Sequence, residues 1–181
     1  MRKVFLIAGL MSAFAVAVVA SSAAANFAGT WTLDKTKSQG LSPRMAGADK
    51  VTWTITQDAQ TISIDQKVEG GQPPAGGGGG TGGGGGMGGG RPPGPPPAYK
   101  LDGSETSMDM GPAKATLKAT WSGDALELSR KSTFTGQDGT ERTSSDTRKL
   151  SLSGDGKVLT AVVHSEGGRG GPSDSTLVFN K

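Results

Sequence analysis

Val51-Thr52-Trp53-Thr54-Ile55-Thr56 alternates apolar side chains with threonines without a break. Successive side chains of an extended chain point to opposite faces, so this stretch puts Val51, Trp53 and Ile55 on one face and threonine on the other. The pattern recurs outward from it. Thr61-Ile62-Ser63-Ile64-Asp65 follows the turn Gln57-Asp58-Ala59-Gln60, while Ala115-Thr116-Leu117-Lys118-Ala119-Thr120-Trp121 and Ala125-Leu126-Glu127-Leu128-Ser129 flank Ser122-Gly123-Asp124. Runs of period two rich in β-branched residues read as half-buried strands, and no segment has a convincing helical period. The fold class is all-β.

Eight to ten strands are predicted, near Gly29–Leu33, Val51–Gln57, Thr61–Val68, Ala98–Leu101, Thr106–Met110, Lys114–Trp121, Ala125–Phe134, Glu141–Leu152, Lys157–Ser165 and Ser175–Asn180. Between them stand Leu101-Asp102-Gly103-Ser104, Gly111-Pro112, Gln137-Asp138-Gly139 and Gly154-Asp155-Gly156, whose glycines supply the positive φ of tight turns. Hairpins in series make an antiparallel meander. A flat sheet of this size leaves two bare edges and needs a covering helix that the sequence lacks. Closure into an up-and-down barrel of eight to ten strands removes both problems. A two-sheet sandwich is the other architecture consistent with the pattern.

Two segments stand apart from this domain. Met1-Arg2-Lys3, the apolar run Val4–Ala20 and the small residues Ser21-Ser22-Ala23-Ala24-Ala25 have the form of a signal peptide cleaved after Ala25. An uncleaved membrane anchor is the alternative, but the run is short for a span and ends without charge. The expected mature chain, residues 26–181, is periplasmic or secreted, with no integral membrane association. Residues 70–97 hold sixteen of the 31 glycines and seven of the ten prolines. Such a tract has too few apolar side chains to offset its chain entropy, and it reads as a disordered loop inserted into a single domain. Arg91-Pro92-Pro93-Gly94-Pro95 also contains a short PxxP, the form recognised by proline-binding modules.

Composition excludes much chemistry. The chain has no cysteine and one histidine, so disulfides, thiolate nucleophiles and multi-histidine metal sites are absent. There is no Gly-x-Ser-x-Gly elbow, no Asp-x-Asp-x-Asp-Gly loop, and no lysine-bearing phosphate loop in the polyglycine. His164 lies in a run apolar on both faces, and reads as a surface or rim residue. Loss of Arg2 and Lys3 leaves 17 basic residues against 16 acidic ones, which gives no field for nucleic acid. The expectation is a protein that is not an enzyme, with no cofactor, no metal and no nucleic-acid partner.

Phe27-Ala28-Gly29-Thr30-Trp31-Thr32-Leu33-Asp34, just after the signal peptide, carries a Gly-x-Trp on the first strand. It resembles the signature of the calycin group, the lipocalins and fatty-acid-binding proteins. That resemblance implies a lipocalin-like exported barrel in which Gly29 and Trp31 plug the closed end, with a small hydrophobic or amphipathic ligand inside. Lipocalins also pack a basic residue from beyond the last strand over the tryptophan, and only Lys181 is placed for that here. Two departures stand out: no helix follows the last strand, and the segment 35–50 is too short for the two helices of fatty-acid-binding proteins.

Phase selects a ligand face. Arg130, Ser132 and Phe134 share theirs with Leu126 and Leu128. Arg142, Ser144, Asp146 and Arg148 share theirs with Leu150 and Leu152. If that face lines the lumen, Arg130, Phe134, Arg142 and Arg148 form a binding set for an anionic amphipathic molecule, since a buried guanidinium requires an anionic partner. If a bulge reverses the phase, the same arginines are solvated and pair with Asp146 or Glu141. The functional alternative is a structural or interaction module of the cell envelope whose barrel is filled and holds no ligand. Scarce large side chains favour a hollow interior.

Deleting residues 76–90 should shift the thermal midpoint by no more than about 2 °C, because shortening a flexible loop changes closure entropy only slowly. A scanning-calorimetry drop of more than about 6 °C would make the tract part of the fold.

Overall fold

Alternation along the sequence becomes alternation of burial in the structure. A computed structural model describes residues 25–70, 95–110, 113–135, 139–167 and 171–181. Nearly all of the expected signal peptide and of the glycine/proline tract, with Gly111-Pro112 and Gln137-Asp138, lie outside the described residues. Ten strands form: β1 (Gly29–Leu33), β2 (Lys50–Gln57), β3 (Thr61–Glu69), β4 (Ala98–Lys100), β5 (Thr106–Met110), β6 (Ala113–Ser122), β7 (Ala125–Thr135), β8 (Glu141–Leu152), β9 (Val158–Glu166) and β10 (Ser173–Asn180). In β2, Val51, Trp53 and Ile55 are buried while Lys50, Thr54 and Thr56 are exposed.

All ten belong to one antiparallel sheet in the order β4-β3-β2-β1-β10-β9-β8-β7-β6-β5. The first and last strands pair through Thr32↔Asn180 and Leu33↔Phe179. The meander therefore rolls into a nearly closed barrel, and the sandwich is excluded. Its seam falls between β4 and β5, which do not pair with each other among the described residues. Three prolines explain the short β4. Pro95-Pro96-Pro97 have no N–H to give, so pairing with β3 stops at Ser63↔Ala98. Asp65, Lys67 and Glu69 charge the outer face of β3 beyond that point, a common way to blunt an exposed edge.

One short helix departs from the all-strand reading. α1 (Pro43–Ala46) is a single turn started by Ser42, whose Oγ accepts from Met45 N–H, with proline pre-set at the first helical position. Four residues are too few to show a period. With the loop before it, α1 lays Leu41 and Met45 on the core over the β1–β3 side of one barrel end. Gln39 bridges to Thr176, and Ser38 Oγ accepts from Val178 N–H, so this loop is tied down across β10.

The opposite end is the floor. Phe27, Trp31, Ile62, Leu126, Leu150, Leu159 and Phe179 have no exposed surface. A void large enough for water would leave accessible area on its lining, so this half of the barrel is packed solid. Burial of each such side chain contributes roughly 1.5–3 kcal/mol. The expectation of a hollow interior fails here, because few large residues suffice when they are gathered at one level.

Trp31 is the plug. Its indole N–H donates to the Phe27 carbonyl at 2.8 Å, and the Lys181 ammonium lies 5.3 Å from its ring centroid. Lys181 thus takes the position that the family resemblance assigned to a basic residue. Gly29 makes room: its φ is +140°, and a Cβ there would stand 3.1 Å from Lys181 Cε. Gly29→Ala should cost about 1–3 kcal/mol in urea unfolding, from backbone strain that only glycine escapes. Adding Lys181→Ala should recover only the steric part of that loss, leaving the φ penalty in place.

Candidate functional site

Away from the floor, the inward face changes character. The β7–β8 register runs unbroken from Leu126↔Leu150 through Leu128↔Arg148, Arg130↔Asp146 and Ser132↔Ser144 to Phe134↔Arg142. No bulge intervenes, so of the two alternatives the unbroken phase holds, and Arg130 and Arg148 continue the inward face of Leu126, Leu128 and Leu150. Exposure rises step by step along it. Leu126 and Leu150 are sealed, Arg148 is 9% exposed, Arg130, Ser132, Ser144 and Asp146 are half-buried, and Phe134 and Arg142 are exposed at the rim. The four predicted site residues share one wall but not one depth: Arg148 and Arg130 sit inside, Phe134 and Arg142 at the lip.

Arg148 marks the boundary between the two halves. Its Nε donates to Asp146 Oδ2 at 3.3 Å, and its guanidinium carbon lies 5.8 Å from the centroid of the Trp53 ring on β2. β8 and β2 are separated by three strands in the sheet, so the side chain reaches across the lumen. Trp53 is itself held. Its indole N–H donates to Gln66 Oε1 at 3.0 Å, and its ring packs on Phe179 at 4.4 Å between centroids. Arg130 Nε donates to Ser132 Oγ at 3.2 Å. The carboxylate pairing anticipated for solvated arginines does form, through Asp146, but inside the barrel.

Residues from the other walls complete the site, and strand phase on β7 and β8 does not name them. Tyr99 on β4 is buried, and that burial pushes its phenol pKa above the usual value, with Arg148, Asp146 and Arg130 close enough to act on it. Thr106 on β5 stands on the rung that runs through Leu117 and Arg130 to Asp146. Thr106 Oγ1 and Asp146 Oδ1 are buried and make no hydrogen bond. Ser165, opposite Asp146 on β9, continues the polar ring.

Two other features have simpler chemistry. At the floor, a shallow crevice of about 420 Å³ is lined by Asn26, Gln57, Asp58, Ala59, Leu101 and Trp121. Its polar groups are already used by the chain: Gln57 holds Phe27 N–H and the Ala25 carbonyl, and Asp58 caps the Gln60–Thr61 turn. On the outer surface, His164 Nδ1 lies 2.6 Å from Asp174 Oδ1 and Nε2 lies 3.1 Å from Glu166 Oε1. It is the surface histidine that its sequence context suggested. Among the described residues, no three His, Cys, Asp or Glu side chains gather as a metal site, and no helix is long and apolar enough to cross a membrane.

The chain matches no protein-family model and no curated protein.

Arg148→Met keeps the apolar stem but strands Asp146, so urea unfolding should show a loss of about 2–4 kcal/mol, below a fully buried pair because Asp146 keeps some exposure. Arg148→Met with Asp146→Leu should recover most of it. His164 gives a second check. Hydrogen bonds donated to the Asp174 and Glu166 carboxylates raise its pKa above the ordinary 6.5. The stability this contributes is therefore complete below that unfolded value and fades as pH rises through the higher folded one. The single histidine Hε1 resonance should titrate above pH 6.5 and move toward it in Asp174→Asn.

Proposed function

We propose that the protein is an exported, non-enzymatic, lipocalin-like barrel that takes a small amphipathic anion into its open end. One observation carries this reading: inward-facing side chains grade from sealed at Leu126 and Leu150 to water-accessible and cationic at Arg130, with Phe134 and Arg142 at the lip. The depth of the site is set by Arg148 over Trp53, below which there is no room. A ligand therefore enters head-first. Its anionic group meets Arg130 and Arg148, and its apolar part lies against Met108, Ala113 and Phe134 near the mouth. The Gly-x-Trp plug with Lys181 above it and the up-and-down meander support the family resemblance. The amino-terminal sequence supports export to the periplasm or beyond.

The packed floor favours a second reading, a filled structural or interaction module of the cell envelope with no ligand. Isothermal titration of the purified protein with decanoate separates the two. Binding in the micromolar range, weakened at least tenfold by Arg130→Gln, is the expected result on the loss of one charge-assisted contact worth roughly 1.5–3 kcal/mol. Absence of heat across alkyl carboxylates, sulfates and phosphates would leave the filled module.

A further inference from the structure

The mouth contains more unused hydrogen-bonding capacity than a plain carboxylate can satisfy. Arg148 engages Asp146 only through Nε, so among the described residues both Nη groups make no hydrogen bond. These four N–H donors belong to a residue that is 9% exposed. Beside them, Asp146 Oδ1 is buried with no donor reaching it, and Thr106 Oγ1, on the same rung, is buried with no partner of either kind. Buried polar groups in folded proteins are nearly always paired, so Asp146 Oδ1 and Thr106 Oγ1, buried and unpaired beside a guanidinium with donors to spare, point to a missing partner. A headgroup that only accepts hydrogen bonds serves the guanidinium and leaves Asp146 Oδ1 worse off, facing a second anion across a few ångströms.

We infer that the site selects a carboxylate bearing a hydrogen-bond donor on the adjacent carbon, that is, an aliphatic 2-hydroxy or 2-amino acid. This inference rests on the head-first binding proposed above. The carboxylate accepts from the Arg148 Nη groups, and the neighbouring hydroxyl or ammonium donates to Asp146 Oδ1. Both sets of protein atoms branch from the Nε–Oδ2 contact, so a headgroup of a few atoms spans them. The Thr106 hydroxyl can then donate to the ligand carboxylate or accept from its donor group. The aliphatic chain leaves toward Met108 and Phe134. Tyr99, buried and near both arginines, closes the seam side of the pocket.

The test compares decanoate, 2-hydroxydecanoate and 2-aminodecanoate by isothermal titration on the full purified protein and on Asp146→Asn. In that variant the amide oxygen can keep Arg148 Nε, while its NH₂ occupies the place of Oδ1 and turns an acceptor into a donor. The unmodified protein should bind at least one substituted acid about tenfold or more tightly than decanoate, as for one added hydrogen bond to a charged group. Asp146→Asn should reduce that advantage to about twofold or less while binding decanoate at least as well. Thr106→Val, which preserves shape, guards against a folding defect and should lower affinity for the preferred acid about threefold or more. Equal affinities for the three acids, or an advantage that survives Asp146→Asn, would overturn the inference and leave anion binding intact. If none of the three acids binds, the head-first reading falls together with it.

Discussion

A guanidinium laid over an indole divides this barrel into two different interiors. The Arg148–Trp53 contact is worth only about 0.5–2 kcal/mol as a cation–π interaction. Its importance is positional, because it joins walls that the sheet keeps three strands apart. Below it, aromatic and leucine side chains interlock with no exposed surface. Above it, the wall turns to serine, arginine and aspartate. A leucine at position 148 would extend the packed core upward. The charge instead requires a carboxylate within reach, and that carboxylate requires a partner for its second oxygen. The polarity of the mouth therefore propagates from one residue.

The nearly closed wall is what allows a chain with few large apolar residues to protect a core. Pairing of β1 with β10 joins the ends of the meander, so among the described residues the sheet's edges are β4 and β5. β4 follows directly on the glycine/proline tract. Prolines abolish the ladder on one side of the seam, and charges on β3 discourage a foreign strand from completing it. An insertion of this length at an interior hairpin would disrupt pairing on both its flanks. Placed at the seam, it leaves the pairing of the remaining strands untouched.

Alternation made the strands and the orientation of each wall legible from sequence, because a period of two assigns every residue of a strand to one face or the other. Period alone left Arg130 and Arg148 either in the lumen or, through a bulge, in solvent, and it is the unbroken β7–β8 register that puts them on the inward face. What alternation does not convey is depth along a strand, so the exposed lip residues Phe134 and Arg142 could not be told from the sheltered arginines. Nor does it say which walls face each other. Trp53, Gln66, Tyr99 and Thr106 join the site only once the barrel closes, and each looked like ordinary strand sequence. The turn of helix at Pro43–Ala46 was invisible for the opposite reason: its signal is a serine cap and a proline, with no period at all.

Side-chain volume decides whether the open half stays open. Besides Met108, Phe134 and the arginines, several inward positions around the mouth are short: Ala113, Ala115, Ser132, Ser144 and Ser165. The same registers near the floor hold Trp121, Leu126, Leu150 and Leu159. Leucine at any of those alanine or serine positions would gain burial of about 1.5–3 kcal/mol, so stability alone does not explain small residues there. Small, polar and alanine side chains around two arginines leave this half less filled with apolar volume than the floor. A protein whose interior were only a scaffold would gain from filling it, and would have no use for a buried guanidinium with four idle donors.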